Sequence, residues 1–376
     1  MQEKLSAFTA PGKGNRLVAL DIFRGLTMVA MILVNDPGIG THVYAPLDHS
    51  AWNGITFADF IFPSFIFIVG VSVVLSFFGQ IQKGISKKRM VAKMCKRALI
   101  LFSIGLFLSI LPTFNLAQFR ITGVLQRISI VFFCCTLLYL FTELSFQIGL
   151  AIVILIAYFL LMTFVPVPGY GYPILEPGKN LAAWVDSKVI PGRMYNGTWD
   201  PEGVLSTFLA IVTGIAGMLA GHLLLSNKNA ERKIIWLFLA GFISFTIANG
   251  WNWFFPINKN LWTSSFVLYV AGIDCMVLAS LYFLVDFSGI KKGSTVALVF
   301  GTNAIAAYLI SEFFYNIIYF KIGGIHGTSL NDVIIKSIIP SGLSLEMISF
   351  IWAVFYCILC FVPTYVMYRK KIFLKI

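Results

Sequence analysis

The chain has 376 residues, of which 58% are hydrophobic and only 12% charged, against roughly 25% charged in an ordinary soluble domain. That balance excludes a water-soluble enzyme of this size. The formal charge of +12 would suggest nucleic acid in a soluble protein, but in a chain this apolar its placement along the sequence carries the information.

A membrane span needs roughly 20 apolar residues. Runs of that kind near 18–36, 56–78, 97–112, 121–141, 145–165, 203–225, 233–251, 263–286, 294–318 and 343–367 predict an all-α polytopic membrane protein with about ten transmembrane helices. The runs lack the period-two alternation of barrel strands. Asp21 and Arg24 interrupt the first run and no small-residue cleavage pattern follows, so it is read as a span and not as a signal peptide. The organisation expected is a leader over 1–17, one membrane domain over 18–367 with extracytoplasmic loops at 37–55 and 166–202, and a basic tail over 368–376. The stretch 319–342, with Gly323, Gly324, His326 and Gly327 before VIIKSII, reads as an interfacial or partial helix or as an eleventh crossing; its short length and the charge placement of the tail count against a crossing.

Most of the 28 Lys and Arg residues fall on one side of this arrangement. They comprise Lys4, Lys13 and Arg16; Lys83, Lys87, Lys88, Arg89, Lys93, Lys96 and Arg97; Lys228, Arg232 and Lys233; Lys291 and Lys292; and Arg369, Lys370, Lys371 and Lys375. The other side holds Arg120, Lys179, Lys188, Arg193, Lys259, Lys321 and Lys336. By the positive-inside rule both termini are expected in the cytoplasm. The basic loop 79–97 then reads as a topology signal or as the holder of a cytoplasmic anionic ligand. Five of the six cysteines sit in apolar stretches, Cys95 lies among basic residues, and none has zinc or redox spacing, so no metal or disulfide is expected.

Ionisable residues inside spans are costly and mark functional sites by default. Asp21, Arg24, Arg127, His222, Asp274 and Glu312 are the candidates. Asp21 and Arg24 share a helix face at i,i+3 and read equally as a structural pair or as cavity donors, whereas His222 reads as a helix-end group. The densest polar cluster lies outside, in VNDPGIGTHVYAPLDHSAWNGITFADF. There the His49 imidazole can take a proton from an attacking amine or hydroxyl or carry an acyl group itself. Asp48 or Asp59 can orient its ring, and Asn35 can donate to a developing oxyanion. A structural loop histidine is the plainer reading of the same residue.

Taken together, DIFRG, the Asn35 region, HSAWNG with TFADFIFPSFIFIVG, RITGVLQRI, DPEG at 200–203, PINKNLWTSSFVL and GTNAIAAYLISE resemble the membrane domain of the heparan-alpha-glucosaminide N-acetyltransferase family and its bacterial relatives, over about residues 15–370. The resemblance implies a membrane acyltransferase that takes acetyl from cytoplasmic acetyl-CoA and delivers it to the amine of an extracytoplasmic amino sugar such as a terminal glucosamine. Carried over by motif, the catalytic histidine falls on His49 and its functional asparagine on Asn35; Asp59, as a carboxylate that can orient the ring, is the third expected catalytic residue. Trp52, Asn53, Glu202, Asn258 and Asn260 are the expected sugar-positioning residues, and Arg24, Lys96, Arg97 and Arg127 the expected contacts of CoA. The long lumenal segment and preceding helix of the lysosomal member have no counterpart in this sequence, so a bacterial-type protein of the cytoplasmic (inner) membrane is expected. The stretch between Asn35 and His49 is also longer and carries Asp36-Pro37. Membrane lipids and a homodimer complete the expected partners, and nucleic acid is not among them. The rival from another class is an amino-sugar permease without acyl transfer, which the lack of an evident inverted repeat disfavours.

Overall fold

The computed structural model describes residues 17–111, 119–320 and 327–374. The leader residues Lys4, Lys13 and Arg16, the loop residues Lys321, Gly323, Gly324 and His326, and Lys375 of the tail lie outside the described residues. The described chain is helical, and its one β feature is an isolated antiparallel bridge between Arg120 and Gly192.

In chain order the α-helices are α1 (Val18–Asn35), α2 (Phe57–Gln82), α3 (Lys87–Ile110), α4 (Val124–Phe141), α5 (Leu144–Phe164), α6 (Leu181–Val189), α7 (Val204–Leu225), α8 (Ala230–Trp251), α9 (Ser264–Leu281), α10 (Thr295–Thr302), α11 (Ala304–Ile318), α12 (Leu330–Ile338) and α13 (Leu345–Arg369). Among the described residues, 8 helices are long and apolar enough to cross a membrane, or up to 9 if the pair α10 and α11 counts as one span. The expected span 97–112 belongs to α3, which begins earlier, at Lys87. Its basic first half carries Lys87, Lys88, Arg89, Lys93, Lys96 and Arg97, and this dilutes the apolar run without breaking the helix.

The expected span 294–318 is not one rod. It bends by 88° between α10 and α11, at Asn303, whose backbone sits at φ −127° and ψ 38°. The Asn303 amide donates to the Ile372 carbonyl at 3.0 Å and accepts from the Leu374 N–H at 3.2 Å, so the chain past α13 takes the polar groups that hold the bend. The segment after Gly327 forms α12, which is 9 residues long; at about 1.5 Å per residue it falls well short of a bilayer crossing. A capping box between Ser329 and Asp332 sets its start.

The chain divides into two compact units. The first contains Ala51–Gly54 and Phe62–Gly289, the second Val18–Ser50, Ile55–Ile61 and Ile290–Ile376. In the second unit α1 and α10 approach closely through small residues: a Cβ on Gly25 would strike the Ala297 carbonyl, and one on Gly301 the Asp21 carbonyl. Arg24 donates to Asp21 at 3.1 Å and to the Gly301 carbonyl at 3.3 Å, so the Asp21/Arg24 pair forms and ties α1 to α10. In the first unit the buried Asp274 of α9 accepts from Ser64 of α2 at 2.6 Å, a polar fastener between the two helices.

Candidate active site

The loop between α1 and α2 reaches His49 through a short 3-10 turn over Ala45–Leu47. Thr56 precedes α2, and Asp59 lies in the first turn of that helix, where a carboxylate suits the unpaired N–H groups and the positive end of the helix dipole. Asp59 reaches back to accept from the Thr56 N–H at 3.0 Å and the Ser50 N–H at 3.1 Å. The Thr56 hydroxyl stands 2.6 Å from the Asp48 carbonyl and 3.1 Å from Asp59 Oδ2, and its single proton serves one of them at a time. The other carboxylate oxygen, Oδ1, lies 2.8 Å from His49 Nδ1. One carboxylate thus fixes the helix start, the loop before it and the imidazole.

The burial of the two partners differs sharply: the Asp59 side chain is 1% exposed and that of His49 48%. With Nδ1–H directed at the carboxylate, the ring's basic lone pair is on Nε2. This is the arrangement of a base held by a buried orienting acid. Asp48 has another task, accepting the backbone N–H of His49 at 2.8 Å. Asn35 ends α1 and is exposed on a cavity of the same unit.

The expected sugar-positioning residues all belong to the first unit. Trp52 donates its indole N–H to the Leu175 carbonyl at 2.8 Å and meets Trp199 edge to face at 5.1 Å. Asn258 is fully buried, donates to the Asn53 side chain at 3.1 Å and accepts from the Leu261 N–H at 2.9 Å. Its contacts fasten a loop, and Asn260 beside it is half-buried. Glu202 shares Arg120 with Asp200; the Arg120 guanidinium meets Asp200 through two hydrogen bonds of 2.8 and 2.6 Å and also pairs with Glu202. Thr122 donates to Asp200 at 2.7 Å, and the Tyr195 ring lies 4.7 Å from the guanidinium. Burial pushes the Asp200 carboxyl up, but the hydrogen bonds and charge of Arg120, with Thr122 and the Glu202 N–H, outweigh it and hold Asp200 below its ordinary value. On α6, burial raises the Asp186 carboxyl to about 6 although it accepts from the Val204 N–H. Arg120, Thr122, Asp200 and Trp199 were not singled out as site residues from the sequence; DPEG was visible there, but its arginine partner is 80 residues away.

The expected CoA contacts are not gathered into one group. Arg24 is committed to Asp21 and Gly301 in the second unit. In the first, Lys96 and Arg97 are exposed on α3, with Arg97 over the Phe132 ring at 5.1 Å. Arg127 is 1% exposed, donates to Ser206 at 2.5 Å and to the Gly203 carbonyl at 3.2 Å, and lies over Trp262 at 4.9 Å. Its Nε and Nη1 have no hydrogen-bond partner among the described residues. Such buried donors are costly unless a further acceptor meets them.

Comparison with known proteins gives a consistent assignment. Residues 16–179 match the family described as heparan-alpha-glucosaminide N-acetyltransferase, catalytic, a stretch that contains Asn35, His49 and Asp59. Over 98% of its length the chain is 30% identical to heparan-alpha-glucosaminide N-acetyltransferase of Mus musculus, of which it covers 62%. Over 96% of its length it is 30% identical to heparan-alpha-glucosaminide N-acetyltransferase of Homo sapiens, of which it covers 60%.

Proposed function

We propose that this chain is an integral membrane enzyme of the heparan-alpha-glucosaminide N-acetyltransferase family that moves an acetyl group from acetyl-CoA to the amine of an extracytoplasmic amino sugar. The observation that carries the proposal is the exposed imidazole of His49 held at 2.8 Å by the buried Asp59. His49 Nε2 takes the proton of the acceptor amine as its nitrogen attacks the thioester carbonyl. The new C–N bond forms, Asn35 donates to the oxyanion of the tetrahedral intermediate, and the C–S bond breaks to release the CoA thiolate, which is protonated in turn. Asp59 keeps the ring in the proton-accepting tautomer and steadies the imidazolium.

On the donor side, Lys96, Arg97 and the neighbouring basic residues offer cations to the phosphates of CoA at a cytoplasmic mouth, and the partnerless donors of Arg127 offer a further polar contact along the route. The charge asymmetry supports cytoplasmic termini and a His49 loop on the opposite face, in a bacterial inner membrane. Acetyl-CoA enclosed in vesicles with glucosamine outside tests the whole reading: N-acetylglucosamine appears outside while free CoA appears inside. Glucosamine flux without acetylated product, indifferent to CoA, replaces the reading with a permease.

A further inference from the structure

The helix α3 has two unlike faces. On one of them Met90, Met94, Ala98, Leu101 and Gly105 are buried at helical spacing. The cations on that side are engaged by α4. Lys87 donates to the Leu140 carbonyl at 2.8 Å and lies 5.2 Å from the Phe141 ring, and Arg97 lies 5.1 Å from the Phe132 ring.

The opposite face is basic. Arg89, Lys93 and Lys96 recur at i, i+4 and i+7, which places them in one stripe along the helix. All three are exposed, as is Lys88 beside them. The sequence holds no Asp or Glu between Asp59 and Glu143, and among the described residues no hydrogen bond or ion pair engages these four side chains. Like charges crowded on one helix face repel one another, and an anion brought from outside the protein relieves that repulsion.

Further along, the same face becomes apolar. Leu99 follows Lys96 at i+3 and Phe107 follows it at i+11, both in register with the stripe, and they are 67% and 60% exposed. In a membrane protein such a face meets acyl chains. Residues 98–110 rise only about 20 Å, short of the roughly 30 Å of a bilayer's hydrocarbon core. The basic turns before them are therefore drawn to the depth of the lipid head groups, where Lys and Arg side chains reach outward along their own apolar stems.

A single stripe that is cationic at one end and apolar at the other has the polarity of an anionic phospholipid. The phosphodiester offers acceptor oxygens to guanidinium and ammonium groups, while the tails cover Leu99 and Phe107. A water-soluble phosphate answers only the cations and leaves the apolar half bare.

We propose that the Arg89/Lys93/Lys96 stripe of α3 binds the head group of an anionic phospholipid whose acyl chains lie along Leu99 and Phe107. Lys96 is also among the cations offered to CoA above, so the test separates the two ligands.

Native mass spectrometry of the full chain in detergent, without any sugar, provides that test. The protein is titrated with phosphatidylglycerol and with phosphatidylcholine of the same acyl chains. Wild type retains phosphatidylglycerol better by about fivefold or more, and Arg89→Gln/Lys93→Gln retains the two lipids equally. Lys291→Gln/Lys292→Gln, which removes an exposed basic pair elsewhere, keeps the wild-type preference. Leu99→Gln/Phe107→Gln weakens retention of phosphatidylglycerol with every cation still in place. Excess CoA or glycerol phosphate leaves the bound lipid where it is. Thermal unfolding in detergent verifies that each variant is folded, and Lys93→Gln alone carries the same expectation where the double variant is not. Equal retention of the two lipids by wild type overturns the site. So does an undiminished preference in folded Arg89→Gln/Lys93→Gln, unchanged retention in folded Leu99→Gln/Phe107→Gln, or an equal loss in Lys291→Gln/Lys292→Gln. Displacement of the lipid by CoA or glycerol phosphate overturns it as well, and assigns the stripe to a soluble phosphate.

Discussion

His49 Nδ1 and Asp59 Oδ1 stand 2.8 Å apart, and this contact joins the half-exposed imidazole of the α1–α2 loop to a carboxylate with almost no access to solvent. Because Asp59 also accepts the N–H groups of Ser50 and Thr56, it cannot follow the ring outward. The imidazole is therefore held by a group that folding has already fixed, which is the form of preorganisation that lowers the cost of proton transfer.

Asp59→Asn keeps the size of the side chain but removes the negative charge and allows the amide to donate to Nδ1, which favours the wrong tautomer. By analogy with orienting carboxylates elsewhere, kcat is expected to fall by roughly 10²–10⁴. KM for acetyl-CoA is expected to stay near its wild-type value. Steady-state kinetics of the two variants Asp59→Asn and Asp48→Asn check this, since the Asp48 side chain accepts the backbone N–H of His49 and its change to an amide is expected to alter kcat by less than about tenfold.

Asn35→Ala removes the proposed oxyanion donor and is expected to lower kcat by about 10²–10³, while His49 remains able to bind its proton. A pH–rate profile that keeps its shape at a lower plateau is the expected signature; a displaced profile would assign Asn35 to the titration of the base instead.

Arg120 holds two carboxylates, one of them fully buried. Arg120→Ala leaves Asp200 without its cation and is expected to cost about 3–5 kcal/mol, the range for breaking a buried pair from one side. Limited trypsin digestion of the protein in detergent provides the readout: cleavage at Lys179, Lys188 and Arg193 is expected to accelerate. The sign of the pH effect follows from Asp200 lying below its ordinary value. Its contribution to stability is present above the unfolded-state value and is lost as pH falls through the lower folded-state value.

Asp186 titrates in the opposite sense. Burial raises it to about 6, so the fold prefers it protonated. The stability it contributes is complete below the ordinary aspartate value and is lost as pH rises from about 4 to about 6, on the order of 3 kcal/mol in total. Asp186→Asn keeps the acceptor for the Val204 N–H and is expected to flatten that slope, as measured by thermal unfolding in detergent at a series of pH values.

The membrane helices were legible because the length of an apolar run encodes a span directly. The early start of α3 was not, since basic residues lower hydropathy without opposing helix, and the bend at Asn303 depends on the backbone of Ile372 and Leu374, which no local pattern reports. Between α1 and α2 His49 stood out by chemistry, yet two nearby carboxylates competed for it. The spacing of Thr56 and Asp59 at a helix start, the pattern of a capping box, is the signal that would have chosen between them. The embrace of Asp200 and Glu202 by Arg120 was invisible for a different reason: it is a product of tertiary packing between segments far apart in sequence.

The most direct measurement is the formation of labelled N-acetylglucosamine from labelled acetyl-CoA and glucosamine by purified wild-type and His49→Ala protein, with CoA binding followed in parallel. The expected result is product from the wild type, none above background from His49→Ala, and equal CoA binding by both. Product formed by His49→Ala at the wild-type rate would contradict the assignment of His49 as the group that carries the chemistry.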